Sequence, residues 1–361
     1  MLPFSLLFLI IGVSYALCPS YQCKPRTMPF KDNICVFYDE HTLTYRINPC
    51  EDPFQRYCIF NPLQNSTCSV SSKKSLIQKY PGEKCSTDED CRYPYFGGCT
   101  DEICLGSIKD GYCSDSSFCS PGLYCKYNTC ISQLQDGDQC TYDYECQNGS
   151  GCDGNICKKY FSAKLNEEVN TCKDNVNYIC ESTLCYTNAT TSFSYCITPL
   201  ARRNKSPECL SDNDCYSRVD RKSGVMLKSE CQCGMNPDGK QYCGILPGDV
   251  EFMYYIRHLK KWYNSTEVKN CNTLRRDARQ CIEEHWDEDE AVKLIFYKER
   301  VVNFANIQEN DYCAETVLNA DFFVLAHKMG HLTVENPHEI LGSSQGSVIW
   351  LGLSLIFLIL N

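Results

Sequence analysis

Hydrophobic and polar positions follow three different patterns along the chain. Residues Met1 to Val13 are almost wholly apolar, with the run Leu6-Leu7-Phe8-Leu9-Ile10-Ile11, and Ser14-Tyr15-Ala16 follows. From Cys18 to Cys243 no apolar period is sustained. Short apolar stretches are broken by Gly, Asp, Asn and Ser, the pattern of hairpins and loops. Beyond Asp249 a helical period takes over. Phe252, Tyr255, Ile256, Leu259 and Tyr263 fall on one face, with Arg257, Lys260 and Lys261 opposite. Val292, Ile295, Phe296 and then Val302 predict a second helix, and Leu318, Phe322 and Leu325 a last one. A polar helix is expected over Asn272 to Trp286, with Cys271 and Cys281 in or beside it. A final apolar run, Val348 to Leu360, stops at Asn361.

Both apolar ends read as addresses. Ser14 and Ala16 supply the small residues of a signal-peptidase site, with cleavage after Ala16. The alternative, an N-terminal membrane anchor, needs a longer run than this. At the other end, Gly342-Ser343-Ser344 and Gln345-Gly346-Ser347 precede the apolar tail, and no basic flank follows it. A spanning helix needs about 20 apolar residues. Small residues followed by a short hydrophobic tail read instead as a GPI-attachment signal, with Gly342 and Ser344 as attachment candidates. A short tail anchor is the alternative.

Cysteine usage agrees with passage out of the cytosol. The chain has 361 residues and 30 cysteines, an even number that permits complete pairing and calls for an oxidising compartment. Of the 30, 27 lie between Cys18 and Cys243, and only Cys271, Cys281 and Cys313 lie beyond. That shift marks a boundary near Leu246-Pro247-Gly248. Because 27 and 3 are both odd, either one bridge crosses the boundary or two thiols stay free. The net charge of −10 argues against a nucleic-acid binder, which needs a basic face.

The dense part contains a repeat. Cys113, Cys119, Cys125 and Cys130 are spaced 6, 6 and 5 apart, and Cys140, Cys146, Cys152 and Cys157 share those steps. Cys85, Cys91, Cys99 and Cys104 give 6, 8 and 5. Gly82, Gly111 and Gly137 introduce the three units, and Asp88, Asp115 and Asp143 sit early in the first interval of each. Degenerate copies follow: Cys172, Cys180 and Cys185, then Cys209-Leu-Ser-Asp-Asn-Asp-Cys215. A unit of about 28 residues buries too little apolar surface to offset its chain entropy, so disulfides supply the deficit. Three connectivities are open within each quartet.

The segment Cys85-Ser-Thr-Asp-Glu-Asp-Cys91, then Gly98-Cys99 and Cys104, resembles the Dickkopf N-terminal type of cysteine-rich repeat. The match covers Gly82 to Cys157, and Cys209 to Cys215 in part. With the signal and the tail, the arrangement is similar to GPI-anchored cysteine-rich surface proteins of ciliates and other protists. The resemblance implies a disulfide framework and a surface location. It carries no activity, because the matching residues are the framework alone.

Candidate chemistry is sparse. Five N-x-S/T sequons, at Asn65, Asn148, Asn188, Asn204 and Asn264, are expected glycan sites, Asn148 in an exposed loop of the third unit. Gly342-Ser-Ser-Gln-Gly346 spells a nucleophile elbow but lies in the expected anchor signal. Gly149-Ser-Gly-Cys-Asp-Gly154 spells a dinucleotide loop without a preceding buried strand. In His327-Lys-Met-Gly-His331, Lys328 stands where a zinc protease needs a general base. Asp88-Glu89-Asp90 is a calcium candidate or a set of turn residues. The acidic run Glu283 to Glu290 is a helix end in water or a docking patch for a basic partner. The many tyrosines beside cysteines, such as Tyr112, Tyr124, Tyr142 and Tyr144, serve as contacts or as packing against bridges.

The expected fold is therefore an elongated array of small disulfide-rich repeats, made of short β-hairpins and loops, followed by a small α-helical domain. The expected divisions are a signal peptide (1–16), a six-cysteine region (17–80), three repeats (81–160), degenerate repeats (161–246), a membrane-proximal helical domain (247–341) and the anchor signal (342–361). The expected role is non-enzymatic and cofactor-free: recognition or adhesion at the outer leaflet of the plasma membrane, binding an extracellular protein or glycan. A protective coat antigen is the alternative.

Overall fold

The computed structural model describes residues 20–23, 34–39, 41, 44–49, 78–170, 172–173, 176–198, 206–218, 226–233, 240–302 and 328–329. The first described sheet joins β1 (Ser20–Cys23), β2 (Ile34–Asp39) and β3 (Thr44–Pro49) in the order β1-β3-β2, with β1 parallel and β2 antiparallel to β3.

Five disulfide units follow, each crosslinked by two bridges that cross in sequence, first to third and second to fourth in the first four. The pairs are Cys85–Cys99 and Cys91–Cys104, Cys113–Cys125 and Cys119–Cys130, Cys140–Cys152 and Cys146–Cys157. The expected degenerate copies turn out to carry both crossed bridges, Cys172–Cys185 with Cys180–Cys196 and Cys209–Cys231 with Cys215–Cys243, the latter enclosing Cys233 as an additional cysteine. In the chain-entropy account each small loop closed this way contributes about 3 kcal/mol, which the tiny cores of three or four cysteines could not supply.

In every unit but the fourth a single turn of 3-10 helix lies between the first two cysteines, and in each a hairpin carries the third and the last. The hairpins are β4 (Cys99–Thr100) with β5 (Ile103–Cys104), β6 (Leu123–Lys126) with β7 (Thr129–Ser132), and β8 (Ser150–Asp153) with β9 (Ile156–Lys159). Each closes through two residues of positive φ: Asp101-Glu102, Tyr127-Asn128 and Gly154-Asn155. That geometry matches the right-handed twist of paired strands. The dinucleotide-like glycine run thus lies on a hairpin, and Gly154 sits in its turn. The fourth unit has a sheet of β10 (Glu168–Val169), β11 (Cys185–Thr187) and β12 (Ser194–Cys196). The fifth is larger, pairing β13 (Glu208–Cys209), β16 (Cys231–Cys233) and β17 (Gln241–Cys243), with β14 (Tyr216–Arg218) against β15 (Met226–Lys228) between them.

The acidic residues of the repeat are fasteners. The side chain three positions after the first cysteine accepts the backbone N–H of the third: Asp88 from Cys99, Asp143 from Cys152, Asp212 from Cys231, and Ser116 from Cys125. Two positions later, Asp90, Glu145 and Asp214 each accept two N–H groups from the start of the 3-10 turn. These bonds hold the Asp90 and Asp214 carboxyls below their ordinary range. The carboxylates of the calcium candidate are therefore committed to backbone at Asp88 and Asp90. Asp115, grouped by sequence with Asp88 and Asp143, instead caps its turn through Ser117 N–H.

Three helices complete the described chain: α1 (Val250–Asn264), α2 (Arg279–His285) and α3 (Glu288–Val302). Both long helices fall where the apolar period placed them. Residues 272–278 are turn and loop, so the polar helix expected over Asn272 to Trp286 shrinks to α2. The expected helix around Leu318, Phe322 and Leu325 lies outside the described residues. The helices do not form a core of their own. Tyr254, Tyr255, Ile256, Leu259 and Trp262 of α1 and Leu294, Ile295 and Phe296 of α3 share one buried cluster with Tyr160, Phe161, Val169 and Ile179 of the repeats. The helices are thus packed against the repeats through that cluster. Among the described residues no helix is long and apolar enough to cross a membrane.

Candidate binding surface

The loop between α1 and α2 organises the surface. It is tied to itself by Cys271–Cys281 and runs along the first three units. Asn272 donates through Nδ2 to the carbonyls of Ser116 and Cys119 in the second unit, at 3.0 and 2.8 Å. Thr273 donates to Tyr144 O, and Arg276 to Asp143 O and Ser150 O in the third. At the first unit, His285 Nε2 lies 2.7 Å from Gly82 O, and Glu284 accepts from Lys84 N–H. In return Asn148 of the third unit donates through Nδ2 to both Val268 O and Cys271 O at 2.8 Å, and Gln133 binds its Oδ1. Irregular backbone buried this deeply must be satisfied by side chains, and these amides do so.

Asn148 is 1% exposed, with both amide hydrogens used inside the protein. The expectation of a glycan in an exposed loop fails there: a sugar on Nδ2 would displace one of those bonds and the loop it holds. Asn264 is exposed and Asn188 half-buried on the β11–β12 turn, whereas Asn65 and Asn204 lie outside the described residues, as do Gly342, Ser344, His327, His331 and Cys313. The acidic run is largely spent. Glu284 bonds Lys84, Glu283 pairs with Arg279, Glu290 with His258, Lys261 and Lys293, Glu288 with Lys328, and Asp287 caps α3.

Two clefts flank Tyr263. One, of about 310 Å³, is walled by tyrosines: Tyr144, Tyr160, Tyr178, Tyr255 and Tyr263, with Leu274, Asp143, Arg276 and Asp277. Arg276 Nη2 bonds the Tyr160 phenol at 2.6 Å, and the phenols of Tyr178 and Tyr255 bond each other. Burial pushes the Tyr160, Tyr255 and Tyr263 phenols up, so they stay neutral. Burial alone would lower Arg276. The Tyr160 and Tyr263 phenols and the Asp143 and Asp277 carboxylates outweigh it and raise the guanidinium. The floor is thus aromatic, with the Tyr160, Tyr178 and Tyr255 phenols hydrogen-bonded beside one buried cation. The mouth carries Asp277, Tyr178 and the exposed Leu274. Such a site offers ring faces and hydrogen bonds but no nucleophile beside a base.

The second cleft, of about 400 Å³, lies on the other side of Tyr263, between the second and third units and the end of α1. Its walls are mixed, with the polar side chains Gln133, Gln135, Asp136, Gln147, Lys159 and Lys269 among apolar area. The pairing of helix end and repeat that makes both clefts was not visible in the sequence, because the partners lie more than a hundred residues apart.

No family model matches the chain, and neither does any curated protein or solved structure.

Proposed function

We propose that this is a non-enzymatic recognition or adhesion protein that binds an extracellular protein or glycan from the outer face of the plasma membrane. In this reading the chain is delivered by the apolar leader, built on Dickkopf-type cysteine-rich repeats and held by a GPI lipid. The observation that carries the reading is the tyrosine-walled cleft. Tyrosine presents apolar area with a polar tip at little entropic loss, the property that makes it common in contact surfaces. The many bridges, together with the apolar tail after Gly342-Ser343-Ser344, support an extracellular setting.

The test uses protein released from intact cells by a phosphatidylinositol-specific phospholipase and returned to cells. The expected result is release, followed by saturable attachment that Leu274→Glu weakens by placing a charge at the cleft mouth. Retention, with Val348 to Leu360 still attached by mass analysis, would overturn the anchor. Release without saturable attachment, at very high copy number, would favour the coat antigen.

A further inference from the structure

We infer that the cleft at the end of α1 is the seat of an N-linked glycan carried by Asn264, with the innermost sugars lying against the cleft wall. The inference rests on the proposed secretory route, where such glycans are added. The modification joins C1 of the first N-acetylglucosamine to Asn264 Nδ2. The C1–O bond to a lipid-linked diphosphate breaks, and one amide proton is released.

The whole sequon, Asn264, Ser265 and Thr266, lines the cleft. Asn264 is exposed, and its Nδ2 gives one hydrogen to Lys260 O at 2.8 Å. Lys260 O takes one of the two amide hydrogens, so one further N–H remains for the linkage. The cleft, about 400 Å³, is within the range that encloses small ligands. Its wall suits a sugar. Tyr263 is part of it, Gln135 and Gln147 bond each other and keep their remaining amide groups for hydroxyl and acetamido partners, Asp136 holds the Ser150 hydroxyl with one oxygen, and Lys159 and Lys269 add cations. Gly122 keeps one edge low: a Cβ there would meet nothing within 4 Å. A second sequon asparagine, Asn148, also lines this cleft, but its amide is spent on Val268 O and Cys271 O. One asparagine of the two is therefore able to fill the space.

Glycopeptide mass spectrometry of the natural protein tests this, with Asn188 as internal reference. Asn264 and Asn188 are expected to be modified. Peptide-N-glycosidase acting on the native protein is expected to release the Asn264 glycan more slowly than the Asn188 glycan, the two rates converging after denaturation. Thr266→Ala should remove the mass of one glycan, and Thr266→Ser should keep it. Modification at Asn188 without Asn264, or equal native release rates, would overturn the seat while leaving the secretory route standing. Absence of glycan at both positions would overturn the seat and the route together.

Discussion

At the scale of single residues, buried amides take the place of a hydrophobic core between repeats and loop. Asn148 satisfies two buried carbonyls, so Asn148→Ala is expected to cost about 2–4 kcal/mol. Urea unfolding with the disulfides intact measures it, and the intact mass of the folded protein should show Asn148 unmodified. His258 gives a pH dependence. It is buried, its Nδ1 lies 3.0 Å from Glu290 Oε2, and its ring stacks on Tyr297. Burial lowers its pKa below the ordinary 6.5, against the pull of Glu290, while Lys261 and Lys293 oppose the proton as well. The unfolded chain therefore takes up this proton first as pH falls. The stability is full above 6.5 and declines on acidification below it. His258→Gln should flatten that decline between about pH 7 and 5, read from urea midpoints across the range. Glu290, held below its ordinary carboxyl value, loses its contribution only in more acidic solution.

At the scale of elements, the unit is a hairpin held by two crossed bridges, preceded by a 3-10 turn in all but the fourth, and its special positions are conformational. Gly82, Asp110, Gly137 and Asn166 each donate to the carbonyl of their unit's fourth cysteine from a left-handed conformation. Gly82→Ala is expected to cost about 2–4 kcal/mol, because φ is +93° and a Cβ would stand 2.2 Å from Asn270 O. Hydrogen exchange should show the loss first at Lys84, whose N–H bonds Glu284. These same positions show how far the sequence could be read. The cysteine steps and the glycines revealed three units. Gly111, however, is the structural counterpart of Glu83, and Asp110 takes the left-handed place, since Asp tolerates that region. The fourth and fifth units looked degenerate because their turns and hairpins lengthen: 16 residues separate Cys180 from Cys196 and 28 separate Cys215 from Cys243. Longer hairpins do not alter crossed pairing, but they erase the spacing by which a repeat is recognised. Helices α1 and α3 were legible from their apolar faces. Residues 272–278 were not, because Asn272, Thr273 and Arg276 read as one side of a solvated helix while in fact they bond carbonyls of the repeats.

At the scale of the whole molecule, the first three units have small cystine cores, and the loop of Cys271–Cys281 supplies what they share. Replacing both cysteines by alanine is expected to cost about 2–3 kcal/mol by freeing a ten-residue loop. The loss should appear as faster proteolysis within units that keep their own bridges. The contacts concerned span long stretches of chain: 120 residues from Asn148 to Val268, 156 from Ser116 to Asn272, and 203 from Gly82 to His285. A ribosome adds about 5–20 residues each second, so the early units wait on the order of ten seconds or more for the segment that completes them. Their local bridges can form in that interval, but the Asn148 amide stays in water. On the proposed secretory route this makes Asn148 a timer. Its sequon is open to the glycosylating enzyme only until residues 268–271 arrive, and a chain modified within that window can no longer close. Slowed synthesis should therefore enlarge the unclosed population, visible as a heavier species carrying sugar at Asn148.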